Sequence, residues 1–364
     1  MRAIYEEGED GKMHPRPSKF MVDEEGHYWE SRGVFGGRTL LAPAPVWAGN
    51  INPYLFEGPN IIIKAHRKPL CNVPELRRGS DPVDGGNLLL TDEAKNELLR
   101  TDPHAEMFIR RYMNGKEFIN NIPRWCLWLE GVEPVDIRKC PRVLERIERV
   151  RAFRLDSRKE ATQKKADTPT LFGERRICTT NYLAIPKTSS ETRRYIPIGW
   201  LTPDVIAGDA LFTCENSTLY QFGILNSSVH MSWVRKVSGR LKMDYRYSNT
   251  VDYNTFPFPD NNNPLRPAIE KTAQAILDAR ALYPRSSLAD LYDERTMPPE
   301  LRKAHRANDE AVMQAYEFTN PDEEDIVINL MYMYKEITGC RELTATYPNL
   351  SFWEEFYGEY DEKY

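Results

Sequence analysis

The sequence predicts an α+β protein: a mixed α/β domain over residues 46–262, then a mostly α-helical C-terminal subdomain over 263–364, with residues 1–45 an irregular N-terminal arm. Three observations carry this. The chain has 364 residues, enough for two domains that each bury a core. Its 26 prolines fall singly between short apolar runs, which suits a loop-rich mixed body rather than a proline-rich linker. Its last hundred residues change to amphipathic stretches of helical period, each opened by a proline. With 41% hydrophobic and 28% charged residues, collagen-like, coiled-coil and wholly disordered classes are excluded.

Taken in order, residues 1–45 are rich in Gly, Pro and charge with few apolar clusters, hence the expectation of a loosely packed arm. Asn60–Lys64 is a β-branched run that reads as a buried strand. Thr91 precedes Asp92-Glu93, an N-cap with acids in the first turn, and predicts a helix over about 92–100. Pro141 to Lys165 reads as one long basic helix with Val143, Ile147, Val150 and Phe153 along its apolar face. Strands are predicted at Tyr182–Ile185, at Tyr195–Ile198 and near Ala210–Cys214. Leu219, Phe222, Leu225, Val229, Trp233 and Val237 recur every three to four residues and predict one buried helix. Three helices follow, at Pro267–Tyr283, Pro299–Phe318 and Pro321–Ile337.

No run of 18 uncharged apolar residues occurs and Met1–Glu7 has no signal-peptide core, so a cytoplasmic protein is expected. The six cysteines (71, 126, 140, 178, 214 and 340) form no CxxC pair, and neither a zinc site nor any other metal site is expected. Net charge is −5, yet Arg142–Arg246 holds 19 Lys and Arg against 11 Asp and Glu. A basic centre between acidic flanks is what a nucleic-acid-facing domain shows. A solvated helix face would look the same, so charge alone leaves both readings open.

Catalytic signatures are missing: there is no GxGxxG, Walker A loop, HExxH or GxSxG. Gly33–Gly37 is too short for a nucleotide fingerprint and reads as a loop, and Asn52-Pro53-Tyr54 is one proline short of the Asn-Pro-Pro-aromatic base-holding loop and reads as a turn. His66, His104, His230 and His305 lack a nucleophile partner in any catalytic pattern; His230 lies on an apolar helix face, where a core histidine is the commoner case. The segment Trp233–Asn249 alternates basic and aromatic residues. In an extended chain Lys242, Asp244 and Arg246 would share one face. Lys or Arg donates to guanine O6 and N7 and Asp accepts from the cytosine amine, so such a pair could read both halves of one G·C pair. A strand edge with a surface ion pair would carry the same residues.

At these residues the sequence resembles a known family. GRLKMDYRYSNTVDYNTFPFP (239–259), LYQFGILNSSVHMSW (219–233) and SLADLYDERTMPPELRKAH (287–305) are similar to blocks of the MmeI-like type IIL/IIG family. INPYLFEGPN, KPLCNVPELRRGSDPVDGGNLLL, RWCLWLEG, RVRAFRLDSRKEAT and IPKTSSETRRYIPIG extend the likeness over about 48–318. Members are bacterial restriction-modification proteins that join nuclease, adenine methyltransferase and target-recognition domains. The resemblance covers only the last part, which implies a target-recognition domain at 46–262 and a helical C-terminal domain at 263–364. It implies a module that reads double-stranded DNA without chemistry of its own, S-adenosylmethionine being expected only on a methyltransferase domain or subunit that acts as its partner. It implies base reading by Lys242 and Asp244, with guanine at that position, and by Arg246 with Asp209 or Ala210 at a neighbouring pair; Thr213–Asn216 departs from the family pattern beside the latter. Arg149, Arg151, Arg154, Arg158, Lys159, Lys164 and Lys165, with Arg235, Lys236 and Arg240, are then expected to contact phosphates. Two other readings stay open: an interaction or inactive remnant whose helical domain docks a methyltransferase, and a methyltransferase acting through unrecognised residues.

Overall fold

The computed structural model describes residues 52–56 and 58–342 in full, and upstream of them the backbone of short strands between Ile4 and Leu41. Those strands correct the expectation of an irregular arm. β1 (Ile4–Glu7) pairs antiparallel with β2 (Met13–Arg16), and β3 (Phe20–Val22), β4 (Tyr28–Phe35) and β5 (Arg38–Leu41) form an antiparallel meander. Aromatic and β-branched residues among the charges supply the strand propensity that a search for apolar clusters overlooks. Of the glycine segment 33–37, residues 33–35 belong to β4 and 36–37 lie outside the described residues.

By its contacts the chain forms two units, residues 1–62 with 340–364, and residues 63–339. In the first, Asn52 builds the expected turn: its side-chain oxygen accepts from the Tyr54 amide at 2.9 Å. Ile61 and Ile63 are buried as expected, but Ile62 is 46% exposed and the run 60–64 is no strand, which corrects that part of the expectation; β-branched residues do not make a strand without a ladder partner.

The second unit opens with β6 (Arg77–Arg78), β7 (Leu89–Leu90), α1 (Asp92–Thr101), β8 (Ile109–Met113), α2 (Gly115–Asn120) and β9 (Trp125–Leu127). Thr91 caps α1 as expected, its hydroxyl accepting from the Ala94 amide. There follow α3 (Pro134–Arg138), α4 (Pro141–Leu155) and α5 (Glu160–Gln163). The long helix expected to Lys165 therefore stops ten residues early. Ser157 turns its side chain back to accept from the Lys159 amide, a local bond that competes with the helix.

β10 (Tyr182–Pro186), β11 (Thr188–Ser189), β12 (Gly199–Leu201), β13 (Val205–Ala207) and β14 (Leu211–Glu215) come next. They build two four-stranded sheets, β12-β10-β14-β6, all antiparallel, and β13-β8-β9-β7, in which β13 and β8 run parallel. Leu88, Phe108, Leu127, Val143, Ile147, Val150 and Phe172 pack one core between the second sheet and α4; Phe118, Tyr182, Ala184 and Leu211 pack another. Tyr195–Ile198 is buried but is not the expected strand. Pro197 has no amide to give a ladder, and Tyr195 is instead tied to the helices, donating to Asp309 Oδ2 at 2.6 Å.

The buried helix expected at 219–237 is two, α6 (Leu219–Leu225) and α7 (Ser228–Val237). Ser227 caps the second through its hydroxyl, and Asn226 ends the first. His230 is a core histidine: burial pushes its imidazole down to about 3, and its Nε2 sits 3.1 Å from the Tyr247 hydroxyl. β15 (Gly239–Leu241) and β16 (Asp244–Arg246) complete a three-stranded sheet, β11-β16-β15. The expected C-terminal helices are present as α8 (Arg266–Ala281), α10 (Pro299–Ala315) and α11 (Glu323–Thr338), with a short α9 (Leu288–Leu291). They are not a separate body: α8 packs on α6 and α10, and α11 on α7. Gly223 makes the first contact close, since a Cβ there would stand 2.7 Å from Ile269 Cγ2. No helix of the described residues is long and apolar enough to cross a membrane.

Asp252, in the turn after β16, is fully buried, and burial pushes its carboxyl up to about 7. The unfolded chain releases this proton near pH 4. Between about pH 4 and 7 the unfolded state thus binds fewer protons, and this group makes stability fall as pH rises. Asp252→Asn is expected to be more stable relative to the wild type at pH 8 than at pH 5, by on the order of 2 kcal/mol. Urea denaturation at both values checks it, and an unchanged difference would refute it.

Candidate nucleic-acid interface

The segment singled out for base reading is a hairpin. β15 and β16 pair Gly239 with Arg246, Arg240 with Tyr245 and Leu241 with Asp244, leaving Lys242 and Met243 as a two-residue turn. Lys242 has φ 59°, the positive value that tight hairpin turns require at their first central position. This corrects the expectation of an extended run. Lys242 is lifted out of the strand onto the tip, and only Asp244 and Arg246 keep the period-two relation, on the face opposite buried Tyr245. Leu241 and Met243 are exposed beside Lys242. Arg240 braces the hairpin, its guanidinium 4.0 Å from the Tyr245 ring centre and donating to the carbonyls of Arg235 and Met243.

Ala210 and Arg246, 36 positions apart, are joined through the bend between β10 and β11. The Lys187 amide donates to Ala210 O at 3.0 Å, the Tyr247 amide donates to Lys187 O at 2.8 Å, and Thr188 pairs with Arg246. The Arg246 guanidinium donates to Thr188 Oγ1 at 2.9 Å. On the other side Asn114 fixes the second segment: its Oδ1 accepts from the Ala210 amide at 2.7 Å and its Nδ2 donates to Asp209 Oδ1 at 3.3 Å. Arg78 donates to Asp209 Oδ2 at 3.0 Å and to Asp81 Oδ2 at 3.3 Å. Ala210 and Arg246 are thus held on either side of the Lys187–Thr188 backbone, with Asp209 beside Ala210 and Asp244 two residues before Arg246 on β16. Lys187 itself is 8% exposed with its ammonium 4.9 Å from the Phe212 ring centre. Burial, then the neighbouring Arg78, push it down to about 8, against the pull of Asp209.

Lys187, Asn114 and Arg78 are site residues that sequence reasoning missed. Asn114 stands at the N-cap of α2 without capping it, because its side chain serves Asp209 and Ala210 instead; no sequence signal shows that choice. Arg193, whose guanidinium burial pushes down, is attracted by Asp244 and Asp293.

The expected phosphate-contacting set divides. Arg151, Arg158 and Lys159 are exposed, with no ion pair among the described residues. Arg149 pairs with Glu145, Lys164 with Glu160 and Lys165 with Glu174. The last pair borders the Arg78–Asp209 cluster, since Glu174 and Asp81 exchange backbone hydrogen bonds at 2.9 Å and Asp81 meets Arg78. Arg235 and Lys236 are turned inward along the fold, pairing with Glu323 and Glu324 at the start of α11. Arg154 leaves the set altogether. Its side chain is fully buried, and its five N–H groups donate to the carbonyls of Pro82, Val83, Lys165, Thr168 and Leu171. It shapes the surface from beneath and meets no phosphate.

A sequence model of the family described as "MmeI, target recognition domain" matches residues 57–260, and that of "MmeI, C-terminal domain" matches 261–340. The chain belongs to the MmeI family. Over 292 residues it is 37% identical to DNA methyltransferase A of Bacillus subtilis (strain 168), covering 79% of this chain and 33% of that protein. Its structure is similar, with TM-score 0.80 and 39% identity over 93% of this chain and 45% of the other, to one described as the type IIL restriction-modification enzyme MmeI in complex with DNA. This MmeI-family chain spans a third of the curated relative and less than half of the solved one.

Proposed function

We propose that this chain is the sequence-reading module of a bacterial restriction-modification system, binding double-stranded DNA in the major groove for an adenine methyltransferase domain or subunit. The observation that supports the reading is the joining of the Asp209-Ala210 segment to Arg246 through the Lys187–Thr188 backbone, with Asp244 on the same strand as Arg246 and Lys242 on the hairpin tip. A two-stranded ribbon fits the major groove, where Lys and Arg donate to guanine and Asp accepts from cytosine. Lys242 and Asp244 are assigned to one G·C pair, and Arg246 with the Asp209-Ala210 segment to its neighbour. Arg151, Arg158 and Lys159, with the partly paired Arg149, Lys164 and Lys165, set register on phosphates.

Methyl transfer from S-adenosylmethionine to a flipped adenine belongs to the partner. No step of it falls to residues of this chain, which has no Gly-rich cofactor loop and whose Asn52 side chain is spent on its own turn.

Selection from randomised duplexes at about 150 mM salt, where the Debye length is about 8 Å, tests the reading. The wild type should enrich a short motif with a fixed guanine. Lys242→Gly suits the positive φ, so it keeps the fold and removes only the side chain; it should relax one position by about 1–3 kcal/mol. Absence of any enriched motif overturns autonomous readout, and equal loss on all sequences would make Lys242 a phosphate contact.

A further inference from the structure

The hairpin that carries Lys242 and Asp244 enters the fold at two points, and one buried carboxyl lies at both. Ser238 directly precedes β15, and Tyr247 and Ser248 follow β16. Asp252 is fully buried, and its Oδ2 accepts from the Ser248 amide at 2.6 Å. The Ser238 hydroxyl lies beside the same carboxyl. Ser238 Oγ and Asp252 Oδ1 are both buried, and neither has another hydrogen-bond partner among the described residues. A buried carboxylate without a cation is costly. A carboxylic acid donates through one oxygen and accepts through the other, so the protonated group can serve the Ser238 hydroxyl and the Ser248 amide together.

We propose that Asp252 is a positioning residue for base reading, its carboxyl latching the two ends of the hairpin to the body of the fold through Ser238 and Ser248. The inference rests on the reading of the hairpin as a recognition element. The β15–β16 ladder and the Arg240 brace hold the strands to each other, whereas Asp252 holds their root and so fixes where Lys242 and Asp244 stand.

The latch responds to pH. The titratable groups around it are Tyr247 and, across Tyr247, His230 of α7 and Cys214 of β14. Burial pushes the phenol and the thiol up and the imidazole down to about 3, so all three stay neutral between about pH 5 and 8. Arg235 and Lys236, also on α7, are turned to Glu323 and Glu324. Ionised, Asp252 would place an unpaired charge at the root, which draws in water and parts the two ends. The parted state releases the proton near pH 4 and the latched state at about 7, so latching is complete below about pH 4 and weakens as pH rises to about 7.

The test uses the full chain as wild type, Asp252→Asn and Ser238→Ala, at about pH 5 and about pH 8. Hydrogen exchange, corrected for the intrinsic rate, gives the protection of the 239–247 amides, with those of α10 as reference. Binding to duplexes varied at the base pair assigned to Lys242 and Asp244 gives the preference there. Asparagine is neutral at both values and offers Ser248 an acceptor and Ser238 a donor. In the wild type, hairpin protection relative to α10 should fall about tenfold or more from the lower to the higher pH, the effect of one pKa unit, and preference should fall with it. Asp252→Asn should keep both unchanged. Ser238→Ala retains its backbone bond to Val234 O and should lose about fivefold in protection already at the lower pH. Hairpin and α10 amides changing in step would make Asp252 a support of the whole fold and overturn the proposal. So would an Asp252→Asn variant with the pH dependence of the wild type, or Ser238→Ala with wild-type protection. A wild type without base preference at the lower pH would overturn the recognition reading, and the exchange data would still decide the latch.

Discussion

Replacing Arg154 by methionine is expected to destabilise the protein by about 3–5 kcal/mol, the largest effect of any single side chain described here. The guanidinium has five N–H groups, and each meets a backbone carbonyl at 2.6–3.0 Å. Methionine fills most of the volume but leaves the Val83 and Leu171 carbonyls without a donor, while those of Pro82, Lys165 and Thr168 keep the amides of Gly173, Thr168 and Leu171; a buried unsatisfied acceptor costs about 1–3 kcal/mol. Lysine should rescue little, since three rotatable donors on a point charge do not reproduce a planar fork. The carbonyls belong to Pro82-Val83 and to the Lys165–Leu171 turn, which lie on either side of the Asp81–Glu174 bridge. DNA affinity should therefore fall with the fold, while the salt slope of the folded fraction stays as in the wild type. Urea denaturation of Arg154→Met and Arg154→Lys decides the matter. A loss under 1 kcal/mol, or a folded variant with a lowered salt slope, would return Arg154 to the phosphate-contacting set.

Gly79→Ala carries the second large effect, a loss of about 1–3 kcal/mol or more from overpacking. At Gly79 the β6 end of the chain passes directly over the 207–208 backbone, and the Ser80 amide donates to Ala207 O at 2.8 Å. A Cβ on Gly79 would overlap the Gly208 carbonyl oxygen and stand 2.8 Å from that of Ala207. Both are backbone atoms, so no rotamer change relieves the clash. The displaced residues lead straight into Asp209 and Ala210, which makes the variant a test of the site as well. Thermal melting should show the loss, and the folded fraction should lose preference at the base pair assigned to Asp209-Ala210 while keeping that assigned to Lys242 and Asp244. An unchanged melting temperature would mean that the two backbones have room to separate.

Patterns within one element were legible in the sequence because their physics is local. Thr91 before two acids marked α1, and the prolines near the starts of α8 and α10 and before α11 marked the helices that follow. The two misread helices fail where a polar side chain chose a backbone partner. Ser157 ended α4 and Ser227 split α6 from α7, and hydrophobic period carries no trace of either choice.

The candidate site divides in the same way. Lys242, Asp244, Arg246, Asp209 and Ala210 were named from residue type and family likeness, and the basic surplus of the central segment from a count. Their arrangement was not. A two-residue turn put Lys242 on a tip, and the burial of one arginine on α4 turned it from a DNA contact into a support. Charge is a property of composition, whereas which way a charge faces depends on what packs over it. The sequence by itself determined the fold class, the family and the stock of donors and acceptors. Only the tertiary structure decided that the Lys187–Thr188 backbone joins the Asp209-Ala210 segment to the hairpin strand of Arg246, because the partners of that backbone lie from 20 to 60 residues away in the chain.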